Sequence, residues 1–184
     1  MLGFVKPTRG DIETSFSFRN RFKFVSYLPE ENIFPDFLTG QEFLYYFYKI
    51  KTGNNLENKK VDFIDRYLHI KKLFNKEIKK FSKGMKRKIG IANALLSQTE
   101  LTILDEPFEG LDPGSQIELI KLIKELNLKS NCTFFISSHI LSNLEELCTR
   151  IIYIKNGKII FDKSMNEIDK QKIKLKNLFE EGLT

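Results

Sequence analysis

Two short apolar segments separated by a helical pattern place the strongest limit on how this chain folds. Leu101–Leu104 is a continuous apolar run of strand length, and Phe134–Ser137 is a second one, which we expect to be buried. The segment between them begins with Asp112-Pro113, an N-cap residue followed by proline at the first helical position. Apolar residues at helical spacing follow: Ile117, Ile120, Ile123 and Leu126. Strand, helix and strand in this order predict parallel strands joined by a crossover helix.

The part of the chain before Leu101 has mainly helical patterns. Phe24–Tyr27 is typical of a short strand, which Pro29 would end. Thr39, with a glutamate three residues later, is typical of a capping box, and Ser82 is the expected N-cap of a later helix. A helical face between them is formed by Val61, Ile64 and Leu68. The middle third is therefore predicted to be helical.

The last fifty residues predict one more helix and a hairpin. Ser142, with Glu145 three residues later, has the pattern of a capping box. Ile151–Ile154 and Lys158–Phe161 flank Asn156-Gly157, the strongest short-range signal for a β-hairpin. Together these patterns predict an α/β core with a helical insertion and an antiparallel hairpin.

Composition and charge exclude several classes of protein. The 184 residues carry a net charge of +6, and the two dense basic runs, Lys71–Lys80 and Lys163–Lys176, alternate with apolar residues. We interpret them as solvated helix faces and expect no nucleic-acid partner. No apolar run approaches the roughly 18 residues of a membrane span, and Met1–Gly10 lacks the layout of a secretion signal. Cys132 and Cys148 lack metal-site spacing and are expected to be reduced, buried thiols.

Two adjacent carboxylates, Asp105 and Glu106, follow the first apolar strand. Ligands of open α/β sheets bind beyond the carboxyl ends of the strands. One carboxylate there can help to hold Mg²⁺, which keeps waters and prefers few carboxylates plus phosphate oxygens, while its neighbour polarises a water. The pair alone is equally consistent with a solvated acidic turn at the end of a strand.

Four motifs in a fixed order favour a ligand-binding site over a solvated turn at this acidic pair. They are Phe81–Met85 (FSKGM), Leu101–Glu106 (LTILDE), Gly110–Asp112 (GLD) and Ser137–His139 (SSH). This order resembles the nucleotide-binding domain of ABC transporters, in which the motifs are the signature, Walker B, the D-loop and the switch histidine. Val25–Glu31 is similar to the Q-loop that leads into the helical subdomain of that family.

The resemblance implies a fold and a domain division. The fold would be α/β, a partial ABC-type ATPase core of the P-loop NTPase (RecA-like) class with an inserted helical subdomain. Residues 1–35 would be a remnant of the N-terminal core with the Q-loop. Residues 36–98 would form the helical subdomain ending in the signature helix, and residues 99–184 the core with Walker B, the D-loop and the switch histidine.

The resemblance also implies ATP and Mg²⁺ as ligands and assigns roles at matching positions. Asp105 would hold Mg²⁺, Glu106 would orient or deprotonate the attacking water, and His139 would contact the γ-phosphate. The residues that would complete the nucleotide site of a second subunit are Ser82, Lys83, Gly84, Met85 and Asp112. Lys83 stands where the commonest signature has glycine.

Two features depart from the family pattern. Glu30 best matches the position at which the Q-loop usually has glutamine, and it adds negative charge near the phosphates. No G-x-x-x-x-G-K-[ST] sequence occurs in the 184 residues, and Leu2–Gly10 resembles the stretch directly after the Walker A helix. We therefore expect these residues to begin just downstream of the phosphate-binding loop. Two or three charged hydrogen bonds are worth roughly 4–6 kcal/mol, so this chain alone should bind ATP weakly and hydrolyse it negligibly.

The implied partners are membrane-spanning transporter subunits and a second nucleotide-binding subunit in a head-to-tail dimer. The chain would work in the cytoplasm on the inner face of the cell membrane, with Asn32–Lys51 meeting the membrane subunit. The alternatives are a non-catalytic regulatory or degenerate remnant of such a subunit and a relative that acts on DNA or ribosomes. The last class usually carries long coiled coils or two such domains in one chain.

Overall fold

The structure, a computed structural model, describes residues 5–13, 21–31, 33–130, 132–170 and 175–181. The chain divides into two compact units, Met1–Ser137 and Ser138–Thr184. The helices and strands of the first unit are α1 (Arg21–Phe24), β1 (Val25–Leu28), α2 (Gly40–Thr52), α3 (Asn58–Leu68), α4 (Lys83–Leu96), β2 (Leu101–Asp105), α5 (Pro113–Ser130) and β3 (Thr133–Ser137). Those of the second unit are α6 (Leu141–Leu147), β4 (Arg150–Lys155), β5 (Lys158–Ser164), α7 (Met165–Lys170) and α8 (Leu175–Glu181).

The first unit is built around a parallel sheet in the order β1-β2-β3. Val25 of β1 pairs with Leu101 of β2, which pairs in turn with Thr133 of β3. The predicted parallel strands and crossover helix are therefore confirmed, with β1 starting one residue later than expected. β2 lies between its two neighbours, and Thr102 and Leu104 on it are buried.

The burial predicted for Phe134–Ser137 is wrong. Positions along β3 alternate between exposed and half-buried, and Phe135 exposes 47% of its surface. Among the described residues, β3 pairs with β2 alone. An apolar run shows that a segment prefers burial, but it does not show how much of the sheet is covered.

The helical insertion follows the expected capping pattern. The Thr39 hydroxyl accepts a hydrogen bond from the Glu42 amide at 3.3 Å, and the Glu42 carboxylate accepts one from the Thr39 amide at 2.9 Å. α2 ends at Gly53, whose φ of 76° suits a residue without a side chain. The predicted face of α3 is buried: Val61, Ile64 and Leu68. Two short 3₁₀ helices, Ile70–Leu73 and Ile78–Lys80, occupy much of the basic run expected to be one helical face.

The two long helices that flank β2 begin at the predicted caps. Ser82 accepts a hydrogen bond from the Met85 amide at 3.2 Å, and Asp112 accepts one from the Ser115 amide at 3.0 Å. Ile117, Ile120, Ile123 and Leu126 all lie within α5, as expected, although Ile117 is exposed at 51%. The buried apolar residues of α5 are Leu119, Ile120, Leu122, Ile123 and Leu126.

The second unit contains the predicted hairpin. β4 and β5 are antiparallel, and Asn156 and Gly157 between them have φ values of 49° and 73°. Two positive φ values are the signature of a type I′ turn. The capping box predicted at Ser142 is wrong: α6 starts at Leu141, with Ile140 in the N-cap position and no side-chain cap.

The structure can be compared with two expectations from the sequence: that the cysteines are buried thiols, and that no apolar run is long enough to span a membrane. Cys132 and Cys148 are free thiols, the first buried and the second half-buried, and burial raises the pKa of each. Among the described residues, none of the helices combines the length and apolar character that crossing a membrane requires.

Candidate functional site

The acidic pair lies at the carboxyl end of β2, beside the end of β3. Asp105 is paired in register with Ser137, and the Ser137 hydroxyl donates a hydrogen bond to Oδ1 of Asp105 at 2.5 Å. This contact fixes the position of one carboxylate oxygen of Asp105. The parallel pairing of β2 and β3 is what brings these two side chains together.

Glu106 is held in an unusual backbone conformation. Its φ is 47°, in the left-handed region that residues other than glycine seldom occupy. The Glu106 amide donates to the Ser137 carbonyl at 3.2 Å and to the Ser137 hydroxyl at 3.0 Å. Its carbonyl accepts from the Glu109 amide at 3.1 Å. The chain therefore turns sharply at Glu106, and Ser137 holds both acidic residues at that turn.

Tyr27, on β1, is a third member of this site. Burial, followed by the charge of Asp105 and a hydrogen bond with its carboxylate, raises the pKa of Tyr27. The phenol therefore stays protonated and able to donate at neutral pH. Neither Tyr27 nor Ser137 was predicted as a site residue, although Ser137 immediately precedes the Ser138-His139 pair in its motif.

Arg87, on α4, joins the acidic turn to the loop after β1. Its side chain is only 4% exposed. One terminal nitrogen donates to the carbonyls of Pro29 and Glu30 at 2.8 and 3.0 Å, and the other donates to the carbonyls of Asp105 and Glu106. Burial lowers the pKa of Arg87, and the charges of nearby carboxylates oppose that change. Sequence analysis missed Arg87, because nothing in the sequence distinguishes it from the lysines beside it in α4.

The tip of α4 packs against the segment that follows the acidic pair. Lys83 Nζ lies 2.5 Å from the Glu109 carboxylate. A Cβ atom at Gly84 would lie 2.9 Å from the Gly110 carbonyl oxygen, and Gly110 itself has a φ of 73°. A side chain at Gly84 would therefore force these two segments apart. A cavity of about 520 Å³ opens beside this contact, and its lining includes Glu30, Phe81, Lys86 and Arg87.

Asp112 is the N-cap of α5, as predicted. It accepts hydrogen bonds from both the amide and the hydroxyl of Ser115, at 3.0 and 2.6 Å. These two bonds lower its pKa, so it remains a carboxylate well below neutral pH. His139 belongs to the second unit, where it is exposed, and its contact with a γ-phosphate stays a prediction.

The donor set at the carboxyl ends of the strands fits one type of metal site. Across the ranges that the structure describes, no group of three or more His, Cys, Asp or Glu side chains is placed to hold a metal by itself. Asp105 with Ser137 offers one carboxylate and one hydroxyl. Mg²⁺ commonly binds through one or two carboxylates, with water and substrate phosphates completing its ligands. The residues therefore fit Mg²⁺ bound together with a phosphate group.

Replacing Ser82 with alanine is expected to reduce the free energy of unfolding by about 1 kcal/mol, because the Met85 amide loses its cap. Urea denaturation measures this directly. The matched control is Ser142→Ala, also in the first turn of a helix but without a capping bond, and it should change stability by less than about 0.5 kcal/mol. Equal losses in the two variants would contradict the cap at Ser82.

Comparisons with known proteins give a consistent result. The sequence profile of the family described as "ABC transporter" matches residues 1–109. A bacitracin transport ATP-binding protein, BcrA, of Bacillus licheniformis is 38% identical over 93% of this chain and 57% of its own length. An uncharacterized ABC transporter ATP-binding protein of Bacillus subtilis, YcbN, is 33% identical over 89% of this chain and 54% of its own.

A solved structure titled "Structure of ATP binding subunit of ABC transporter" superposes with a TM-score of 0.85 at 26% identity. That match covers 100% of this chain and 80% of the other. The chain spans about half the length of the curated relatives it matches.

Proposed function

The chain belongs to the ABC transporter family, and from this premise we propose that it forms part of an ATP-binding and ATP-hydrolysing subunit that powers transport across a membrane. The observation that carries the proposal is the turn at Asp105 and Glu106, which Ser137 and Arg87 hold at the carboxyl ends of two parallel strands. A solvated acidic turn would not need a buried guanidinium and a hydroxyl to fix its backbone.

Each acidic residue has a separate proposed role. Asp105 would hold Mg²⁺, with Ser137 and Tyr27 fixing the direction of its carboxylate. When bound, Mg²⁺ supplies positive charge that offsets the charge of the phosphates. Glu106 would orient the attacking water and accept its proton, because a carboxylate held at this turn can act as a general base. Glu30 and His139 would contact the metal-bound water and the γ-phosphate.

The tip of α4 is proposed to serve the nucleotide of a second subunit in a head-to-tail dimer. A helix N-terminus presents amides that suit an anion, and here Ser82 occupies the cap while Gly84 permits a close approach. Lys83 adds a cation whose charge Glu109 balances when no phosphate is present. Met85 and Asp112 would complete that surface at the dimer contact.

Exposed apolar residues within one segment support a membrane-subunit partner. Within Asn32–Lys51 the first residue lies outside the described residues, and Phe43 and Tyr48 are buried. The exposed apolar residues of the segment are Ile33, Phe37, Tyr46, Phe47 and Ile50. We propose that these side chains pack on cytoplasmic helices of the membrane subunit, which would hold the chain on the inner face of the membrane. No nucleic-acid partner is proposed.

Millimolar rather than micromolar binding of Mg-ATP is expected for the 184 residues alone, because they contain no G-x-x-x-x-G-K-[ST] sequence. The experiment is an NMR titration of the ¹⁵N-labelled chain with Mg-ATP. The largest shift changes should fall on amides at Asp105–Glu106 and at the tip of α4, Ser82–Gly84. Changes spread over the basic run Lys71–Lys80 instead would contradict the proposed site, and micromolar affinity would contradict the expected weakness.

A matched pair of variants sharpens this titration. Asp105→Asn removes the carboxylate proposed for Mg²⁺ and should make the shift changes insensitive to replacing Mg²⁺ with EDTA. Asp36→Asn makes the same chemical change at an exposed position, and its titration should match that of the unchanged chain. Equal Mg²⁺ dependence in both variants would show that Asp105 does not hold the metal.

A further inference from the structure

Arg87 contacts two loops that are far apart in sequence and both belong to the proposed site. Its guanidinium donates to the carbonyls of residues 29 and 30 on one side and of residues 105 and 106 on the other. Resting on the proposed function only for the role of Glu106, we propose that Arg87 is a positioning residue that transmits a displacement of the Pro29–Glu30 loop to the backbone of Glu106.

The geometry of the guanidinium favours transmission over simple anchoring. Each terminal nitrogen serves one loop, so the rigid plane of the group sets the separation between the two loops. Nε of Arg87 is buried and has no hydrogen-bond partner among the described residues. Within the part of the chain that the structure describes, the hydrogen bonds of the head group go to these four carbonyls alone, so moving either pair changes its position.

Glu106 is well suited to respond to such a movement. Its left-handed conformation is maintained from outside, by Ser137 at its amide and by Arg87 and the Glu109 amide at its carbonyl. A shift of the guanidinium changes the direction of that carbonyl and rotates the peptide that follows Glu106. The exposed loop at Glu30 would thus influence where the Glu106 carboxylate lies.

A purely structural role for Arg87 makes a different prediction. A buried side chain that only supports the fold would, when altered, raise amide exchange through global unfolding, equally at all well-protected positions. Transmission instead predicts a local effect at Glu106 and Glu109. It also predicts that a disturbance of the loop is felt at those amides only while the guanidinium joins the two segments.

The test is amide hydrogen exchange by NMR on the 184-residue chain, with Arg87→Lys, Pro29→Gly and the double variant. Arg87→Lys keeps the charge but loses the planar fork, and exchange at Glu106 and Glu109 should rise about tenfold relative to the α5 core at Leu122. In the unchanged background, Pro29→Gly should raise the exchange rates of the Glu106 and Glu109 amides. In the Arg87→Lys background, Pro29→Gly should raise these rates by less than a further twofold. Arg66→Lys, the same change at an exposed position of α3, should alter neither amide.

The opposite results overturn the proposal. One is an equal rise in exchange rate at Glu106 and in the α5 core. The other is a double variant whose rise in exchange rate equals the product of the rises in the two single variants. If Arg87→Lys unfolds the chain, Pro29→Gly alone decides: a rise at Glu106 and Glu109 without one in α5 supports transmission, and its absence overturns it. No nucleotide is used, so this outcome is independent of whether Mg-ATP binds.

Discussion

Replacing Leu104 with alanine is expected to lower the free energy of unfolding by about 3–5 kcal/mol. Leu104 is fully buried at 0% exposure on β2, and it immediately precedes Asp105. Its removal leaves a cavity between the sheet and the helices, and the loss of contacts adds to the lost hydrophobic transfer free energy. Urea denaturation followed by circular dichroism measures the change.

Leu128→Ala is the matched control for this substitution. Leu128 is on α5 and is 85% exposed, and alanine is the better helix former, so the variant should be within about 0.5 kcal/mol of the unchanged chain. A loss below about 1.5 kcal/mol for Leu104→Ala would mean that the sheet is not packed as described.

The second large effect is a gain in stability. Replacing Lys51 with methionine should raise the free energy of unfolding at pH 7 by about 2 kcal/mol. Burial lowers the pKa of Lys51 to about 8 from 10.5, which corresponds to about 3 kcal/mol disfavouring its charged form in the fold. Part of the gain is offset because Lys51 donates a hydrogen bond to the Ser26 hydroxyl, which the Thr99 hydroxyl also contacts at 2.9 Å.

The gain should depend on pH in a defined direction. Between about pH 8 and 10.5 the unfolded chain holds a proton on Lys51 that the folded chain has lost, so stability rises with pH there. Below pH 8 the destabilisation is fully present, and near pH 10.5 the advantage of Lys51→Met should vanish. Lys49→Met, on an exposed position of α2, is the control and should show neither the gain nor this pH dependence. A less stable Lys51→Met at pH 7 would contradict the prediction.

Structural features that depend on neighbouring residues, such as helix caps and tight turns, were predictable from the sequence. The caps at Thr39, Ser82 and Asp112 and the Asn156-Gly157 turn are confirmed, because each depends on residues within a few positions of one another. The parallel arrangement is also confirmed, because the order strand, helix, strand along the chain favours parallel pairing. The fold class, an α/β core of the P-loop NTPase class, and the family resemblance are confirmed by the comparisons. The residue limits of the three domains remain a prediction.

Features that depend on tertiary contacts were missed or wrong. Arg87 contacts carbonyls 57 and 58 positions before it, and Ser137 contacts residues 31 and 32 positions before it. A pattern of neighbouring residues cannot predict contacts between residues so far apart in the sequence. Ser142 failed as a cap because the N-cap of α6 is Ile140, two residues earlier. Phe135 is exposed because coverage of a strand depends on what packs over it.

At Glu106 the residue that would give the highest stability differs from the residue that the proposed hydrolysis requires, because the backbone there is left-handed. A side chain in that conformation costs roughly 1–2 kcal/mol relative to glycine. Glycine at position 106 would recover that energy and would remove the carboxylate proposed to act on water. Directed evolution of this chain for heat resistance alone is therefore expected to select Glu106→Gly, and a screen that also scores activity is needed to retain the glutamate.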